Sequence, residues 1–172
     1  IMAIGVLCDD GAKFDEAVNY FKSGGGNGRI FKAVYYLHPG YLGQWQEAGR
    51  DQGHATLGIV LGGAICEMAW NQGVDLYGYD NNRVLAACEY TAKGNLIQSG
   101  STYYTVPFAP YAIQGFSTTT FATGGQGIQR PAWALIYNHY ANRMGLAAHG
   151  PDGRHHRLQV RDHRLPLRGR HP

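Results

Sequence analysis

The chain is short of cysteine, of charge and of long apolar runs, and each shortage removes a class of protein. Its three cysteines, Cys8, Cys66 and Cys88, sit inside apolar stretches without metal-ligand spacing. They read as small buried hydrophobes, and their odd number argues against a disulfide framework, leaving one bridge at most. No stretch reaches the roughly 18 apolar residues that a membrane-spanning helix needs. No Gly-rich phosphate loop follows a strand, and no serine or cysteine stands in a nucleophile elbow. No signal peptide opens the chain, which starts inside an apolar helical pattern, Ile1 to Leu7, as a truncated N-terminus would.

Charged residues make up only 16% of the sequence, and the net charge of +3 is unevenly placed. Residues 149–172 hold six arginines and five of the eight histidines against Asp152 and Asp162. The preceding 148 residues carry nine basic and ten acidic groups, so the body is nearly neutral and lacks the basic face of a nucleic-acid-binding protein. With 172 residues the chain fits one domain with a real core. The expected organisation is a helical domain over 1–146 and a basic tail over 147–172, whose Arg, His, Pro and Gly mixture has no apolar period and reads as disordered.

What is present is concentrated in two clusters. The first is Gln44-Trp45-Gln46-Glu47-Ala48-Gly49-Arg50-Asp51-Gln52-Gly53-His54, directly before an apolar run ending at Trp70. Burying such groups unpaired costs several kcal/mol, roughly 2–7 each, so they either satisfy one another or face a ligand. A helix is expected from Asp51 to Trp70, with the apolar stripe Leu57, Leu61, Ile65 and Met68 and with His54 on the same stripe. Gly58, Gly62 and Gly63 are costly inside a helix and imply close approach of a neighbouring helix. If the helix extends back to Arg50, the spacing to His54 puts both on one face. With Gln52 they could hold a carboxylate at the helix N-terminus. Ion pairing with Glu47 or Asp51 is the alternative.

The second cluster runs from Arg130 to Tyr140. Pro131 fits a first helical position, with the helix reaching Met144. Seven residues separate Arg130 from Tyr137, nearly two turns, which directs both to one side. A tyrosine is a poor base unless a cation stabilises its phenolate, and Arg130 could supply that cation. Trp133, Tyr140 and Met144 flank the same face, and His139 points away as a structural residue.

Elsewhere, helices are expected over residues 12–22, with Phe14, Val18 and Phe21 inward, and from Asp80 to Lys93, with Asp80 or Asn81 as N-cap. Residues 94–128 form a long Gly-, Ser-, Thr- and Tyr-rich connection of the kind that is usually functional. His38, beside Pro39, reads as a turn residue. Trp45, Tyr77 and Tyr79, with further tyrosines, offer flat apolar faces with hydroxyl edges, which suit a carbohydrate cleft. The fold class read from these patterns is mostly α.

Three segments resemble the alginate lyase-like family of polysaccharide lyases: Gln46-Glu47-Ala48-Gly49-Arg50-Asp51-Gln52-Gly53-His54, residues 69–83 (AWNQGVDLYGYDNNR) and Glu89-Tyr90-Thr91-Ala92-Lys93. Arg130, six residues, and Tyr137 followed by Asn138-His139 are similar to the Arg–Tyr signature of helical-toroid alginate lyases. The resemblance covers about residues 1–146. It implies an all-α, incomplete (α/α) toroid of helical hairpins, truncated at both ends. It also implies β-elimination at a uronate of alginate or glucuronan, with no cofactor or metal and with export to the periplasm or beyond.

In that scheme His54 and an upstream Asn neutralise the substrate carboxylate, Tyr137 moves the proton, and Arg130 supports it. Arg50, Gln52, Trp45, Tyr77, Tyr79, Asn82 and Arg83 are the expected substrate-binding residues. The expected partner is an acidic polysaccharide, with neither nucleic acid nor membrane. A catalytically inactive uronan-binding module is the second reading, and polyanion binding through the basic tail the third.

Overall fold

The computed structural model describes residues 1–113, 115–131 and 133–146. The tail, and with it any reading of its order or binding, lies outside the described residues. Among the described residues the architecture is mixed, 49% helical and 14% strand, with three antiparallel two-stranded sheets. This corrects the all-α toroid expectation: helical hairpins do not account for the chain, because several of its connections are themselves strand pairs.

Two helices open the chain, α1 (Met2–Leu7) and α2 (Gly11–Ser23). Asp10 caps α2 by accepting from the Lys13 N–H at 3.0 Å, and Val18 and Phe21 turn into the core. A single turn, α3 (Ile30–Ala33), leads into strand β1 (Val34–His38), which pairs with β2 (Leu42–Trp45). Tyr35 and Tyr36 disguise β1 in the sequence, since only Val34 and His38, at its two ends, are buried. His38 is therefore a buried strand residue and not a turn residue. Its Nε2 lies 2.8 Å from the Gln44 side-chain oxygen, and its ring stacks on Tyr90.

The long helices α4 (Gln52–Asn71) and α5 (Tyr79–Gly94) form the centre. Hairpin β1–β2 lies on α5 so closely that a Cβ at Gly43 would stand 2.8 Å from the Ala87 nitrogen. Arg83 ties the two together, donating Nε and Nη2 to the Val34 carbonyl at 2.9 and 2.6 Å and Nη1 to Asp80 at 2.8 Å. The expected cap at Asp80 or Asn81 is not formed. Asp80, Asn81 and Asn82 take left-handed conformations (φ 49°, 54° and 60°), and the preceding Gly78 offers no side chain to cap with. Short polar side chains tolerate that region best.

Residues 94–128 fold into two further hairpins, β3 (Ile97–Ser99) with β4 (Thr102–Tyr103), and β5 (Tyr111–Ile113) with β6 (Phe116–Thr118). Buried amides fasten this segment to the centre. The Gln44 side chain accepts from the Ala109 N–H at 2.8 Å and donates back to its carbonyl at 3.0 Å. Gln52 donates to the carbonyls of Ala122 and Ala48, and accepts from Asn95 at 3.0 Å. Gln44 and Gln52 of the polar cluster are thus internal stitching, in which burial is tolerated because each amide finds partners.

The last elements among the described residues are α6 (Trp133–Tyr137) and a π-helical stretch that continues it (Asn138–Arg143). Pro131 precedes α6 by two residues and does not open it. Cys66 and Cys88 are buried and unbridged, as small hydrophobes would be, but Cys8 is exposed. Among the described residues no helix is long and apolar enough to cross a membrane.

Candidate functional site

The first turn of α4 carries the polar groups that the internal stitching leaves over. Asp51 is its N-cap, and one carboxylate oxygen accepts from the His54 N–H at 2.8 Å. The other stands 2.5 Å from Nδ1 of the His54 ring. One carboxylate therefore holds the backbone and the imidazole of the same residue. Burial works to raise the Asp51 pKa, but the two bonds from His54 and the charges of His54 and Arg50 outweigh it and hold the carboxyl below its usual range. Arg50, exposed in the preceding turn, pairs with Glu47 at 3.5 Å. Of the two alternatives for Arg50 and His54, the ion-paired one is formed. Because α4 starts at Gln52, the helical spacing expected between them is not realised.

His54 stands at the polar rim of a cavity of about 380 Å³. Asn27, Gln46 and Glu47 share that rim, and Phe21, Trp45, Leu57 and Leu61 form apolar walls. Of the expected apolar stripe, Leu57, Leu61 and Ile65 line the cavity, with Leu57 38% and Leu61 56% exposed, whereas Met68 does not and packs against the core. The core face of α4 is carried instead by Ala55, Ile59, Cys66 and Ala69. Gly58 serves the cavity: a Cβ there would meet Nε1 of Trp45 at 2.2 Å, so the bare backbone is what lets the indole lie across the helix. Gly63 serves α6 in the same way, with Ile136 at 2.9 Å from such a Cβ. The close approach of a neighbouring helix expected at Gly58, Gly62 and Gly63 is therefore found at Gly63 alone; Gly58 is approached by an indole, and a Cβ at Gly62 would meet nothing nearer than Trp45 at 3.8 Å.

Arg130 reaches the same turn of α4 from another direction. Its Nε donates to the Thr56 hydroxyl and Nη2 to the Gly53 carbonyl, both at 3.1 Å. At 100° per residue, His54, Gly58, Leu61 and Ile65 share one face of α4, whereas Thr56, Gly63 and Glu67, which meet Arg130, α6 and Arg143, lie roughly 150–170° round. The cavity lining accordingly includes His54 and Trp45 but neither Arg130 nor Tyr137. The shared helical face expected for Arg130 and Tyr137 is also absent, because Arg130 precedes the helix that Tyr137 ends.

The other expected binding residues divide between core and fold. Gln52 and Tyr77 are fully buried, and the Tyr77 hydroxyl donates to Glu67 at 3.1 Å. Burial, then the Glu67 charge, pushes that phenol far above its ordinary value. Arg83 is spent on the Val34 carbonyl. Tyr79 packs edge-on against Phe21 and Phe31, and Asn82 is half-buried in the left-handed turn. The sequence offers Asp51 as an ion-pair partner, but its capping bond to the His54 N–H went unread, although the three-residue step from Asp51 to His54 is the spacing of an N-cap and its first-turn donor.

Among the described residues no group of three or more His, Cys, Asp or Glu is placed to hold a metal ion. No family model, curated protein or solved structure matches the chain.

Proposed function

We propose that the chain belongs to a polysaccharide lyase that cleaves an acidic, uronate-containing polymer by β-elimination, with His54 meeting the substrate. The observation that carries this reading is the His54–Asp51 pair at the rim of an aromatic-walled cavity. An imidazole whose Nδ1 is occupied by a carboxylate offers Nε2 alone. Neutral, that nitrogen accepts a proton; protonated, it neutralises a carboxylate. Both are steps of elimination at a uronate, where loss of the proton beside the carboxylate and departure of the 4-oxygen create a double bond. The sequence resemblance supports the same chemistry and supplies Tyr137 as a second proton-transfer candidate, with Arg130 fixed beside the His54 turn.

The cavity lining, which includes His54 and not Tyr137, favours His54. On alginate or glucuronan, the protein should raise the near-ultraviolet absorbance of an unsaturated uronate. His54→Ala should abolish that signal, and Tyr137→Phe should retain most of it. Reducing ends released without absorbance would rule out elimination.

The position of Arg130 and Tyr137 outside the cavity favours one second reading, a uronan-binding module without turnover. Saturable binding of uronan oligomers by the wild-type protein, with no absorbance change, would identify it.

A further inference from the structure

From the two bonds that Asp51 makes we infer that Asp51 is the positioning residue of the site, holding His54 as its Nδ1–H tautomer with Nε2 free for the ligand. This deepens the reading of His54 as the substrate-contacting group and rests on it only for its consequence in turnover.

The geometry is specific. The Asp51 oxygens are divided, Oδ1 to the His54 backbone N–H at 2.8 Å and Oδ2 to ring Nδ1 at 2.5 Å. An ionised carboxylate only accepts, so Nδ1 must carry the proton whenever the ring is neutral. The backbone bond does a second thing. It fixes the carboxylate against the helix start, so the ring is referenced to α4 and not to a mobile side chain. The His54 ring is 45% exposed, and without this bond exposed rotamers would compete. Arg50 stands close enough to favour the Asp51 anion, and Glu47 in turn holds Arg50 at 3.5 Å. Residues 47, 50, 51 and 54 thus form a row of alternating charge that ends on the imidazole. Trp45 and Leu57 line the same cavity as His54.

Asp51→Asn separates capping from tautomer control. The asparagine has one oxygen, and if that oxygen stays on the His54 N–H, its NH₂ faces Nδ1 and makes that nitrogen the acceptor. The helix start is kept, and the proton moves to Nε2. Nitrogen-15 NMR of the His54 ring, recorded well above the usual histidine range, reads the tautomer without reference to activity. Wild type should show Nδ1–H and Asp51→Asn should show Nε2–H, with the melting temperature nearly unchanged. In parallel, kcat on the uronan should fall by about 10²-fold or more while KM moves little.

A wild-type ring protonated on Nε2 would overturn the inference, whether or not the variant folds. So would an unchanged tautomer in Asp51→Asn, or a changed tautomer with full turnover. Wild-type protein that shows the Nδ1–H tautomer but eliminates nothing would leave Asp51 as the positioning residue and remove the lyase reading instead.

Discussion

Glu67 and Arg143 meet in a two-point ion pair, each guanidinium nitrogen 2.8 Å from its own carboxylate oxygen, across 76 residues of sequence. Glu67 also accepts from the Tyr77 hydroxyl, so one carboxylate joins α4, the end of the connection to α5 and the π-helical stretch. The Arg143 bond, foremost, holds the Glu67 carboxyl below its usual range. A depressed carboxyl contributes stability that is present above its unfolded value, about 4.3, and is lost as pH falls through the folded one. Glu67→Gln should lower the melting temperature near neutral pH by a few degrees and flatten its decline in acid. Equal acid sensitivity of wild type and variant, in thermal melts across that range, would count against the pair.

His139 gives the second pH dependence, with the opposite charge logic. It is 1% exposed, stacked 3.7 Å from Tyr77, with Trp70 edge-on and no hydrogen-bond partner for Nδ1. Burial lowers its pKa, helped by Arg143 and opposed by Asp75 and Glu67. Below the unfolded value of about 6.5 the unfolded chain takes up the proton first, so stability falls with pH until the folded value is passed. His139→Phe keeps the ring stack and removes this loss. Denaturant midpoints compared at mildly acid and neutral pH should differ less in the variant than in wild type.

Gly58 and Gly63 should respond differently to alanine, although both sit inside α4. Alanine gains about 1 kcal/mol of helix propensity at either site. At Gly63 the obstacle is the terminal carbon of Ile136, which can yield, so the net change should be close to zero. At Gly58 it is the rigid Trp45 indole, 2.2 Å from the new carbon. Overpacking of that kind costs about 1–3 kcal/mol and displaces the cavity wall. Urea unfolding of the two variants, with tryptophan fluorescence reporting Trp45, checks both.

Tyr140 and Tyr137 should separate stability from turnover. The Tyr140 hydroxyl is buried and donates to the Tyr77 carbonyl at 2.9 Å. Tyr140→Phe leaves that carbonyl unpaired and should cost roughly 1–3 kcal/mol with turnover unchanged. If elimination drops by about 10²-fold or more in Tyr137→Phe, proton transfer belongs to Tyr137 and not to His54.

Much of the helical part was legible. The periodicity over 12–22 and the polar-to-apolar step at Asp51 mark α2 and α4 nearly to the residue, because capping and amphipathic spacing are local and written in neighbouring side chains. The hairpins were not legible. β1 buries only its two ends, β3 is exposed throughout, and β5 and β6 are three residues each, so none shows the alternation by which a strand is recognised. The segments on either side of β5 and β6 are fastened by buried amides reaching from Gln44 to Ala109 and from Gln52 to Ala122, partners 65 and 70 residues away.

For the site, the sequence by itself determined that residues 44–54 would form either a satisfied network or a ligand-facing cluster, since unpaired burial is too costly. It also placed His54 in the first turn of a helix that begins near Asp51. Only the tertiary structure decided the division: Gln44 and Gln52 inward, Arg50, Asp51 and His54 outward. The same holds for the stripe of Leu57, Leu61 and Ile65, which local spacing marks as apolar whether it faces a core or a cavity. Which of the two it faces depends on where Trp45 and α2 pack, and whether Arg130 shares a site with His54 depends on which side of α4 it approaches. Both are set by contacts between residues far apart in the chain, and no local pattern records them.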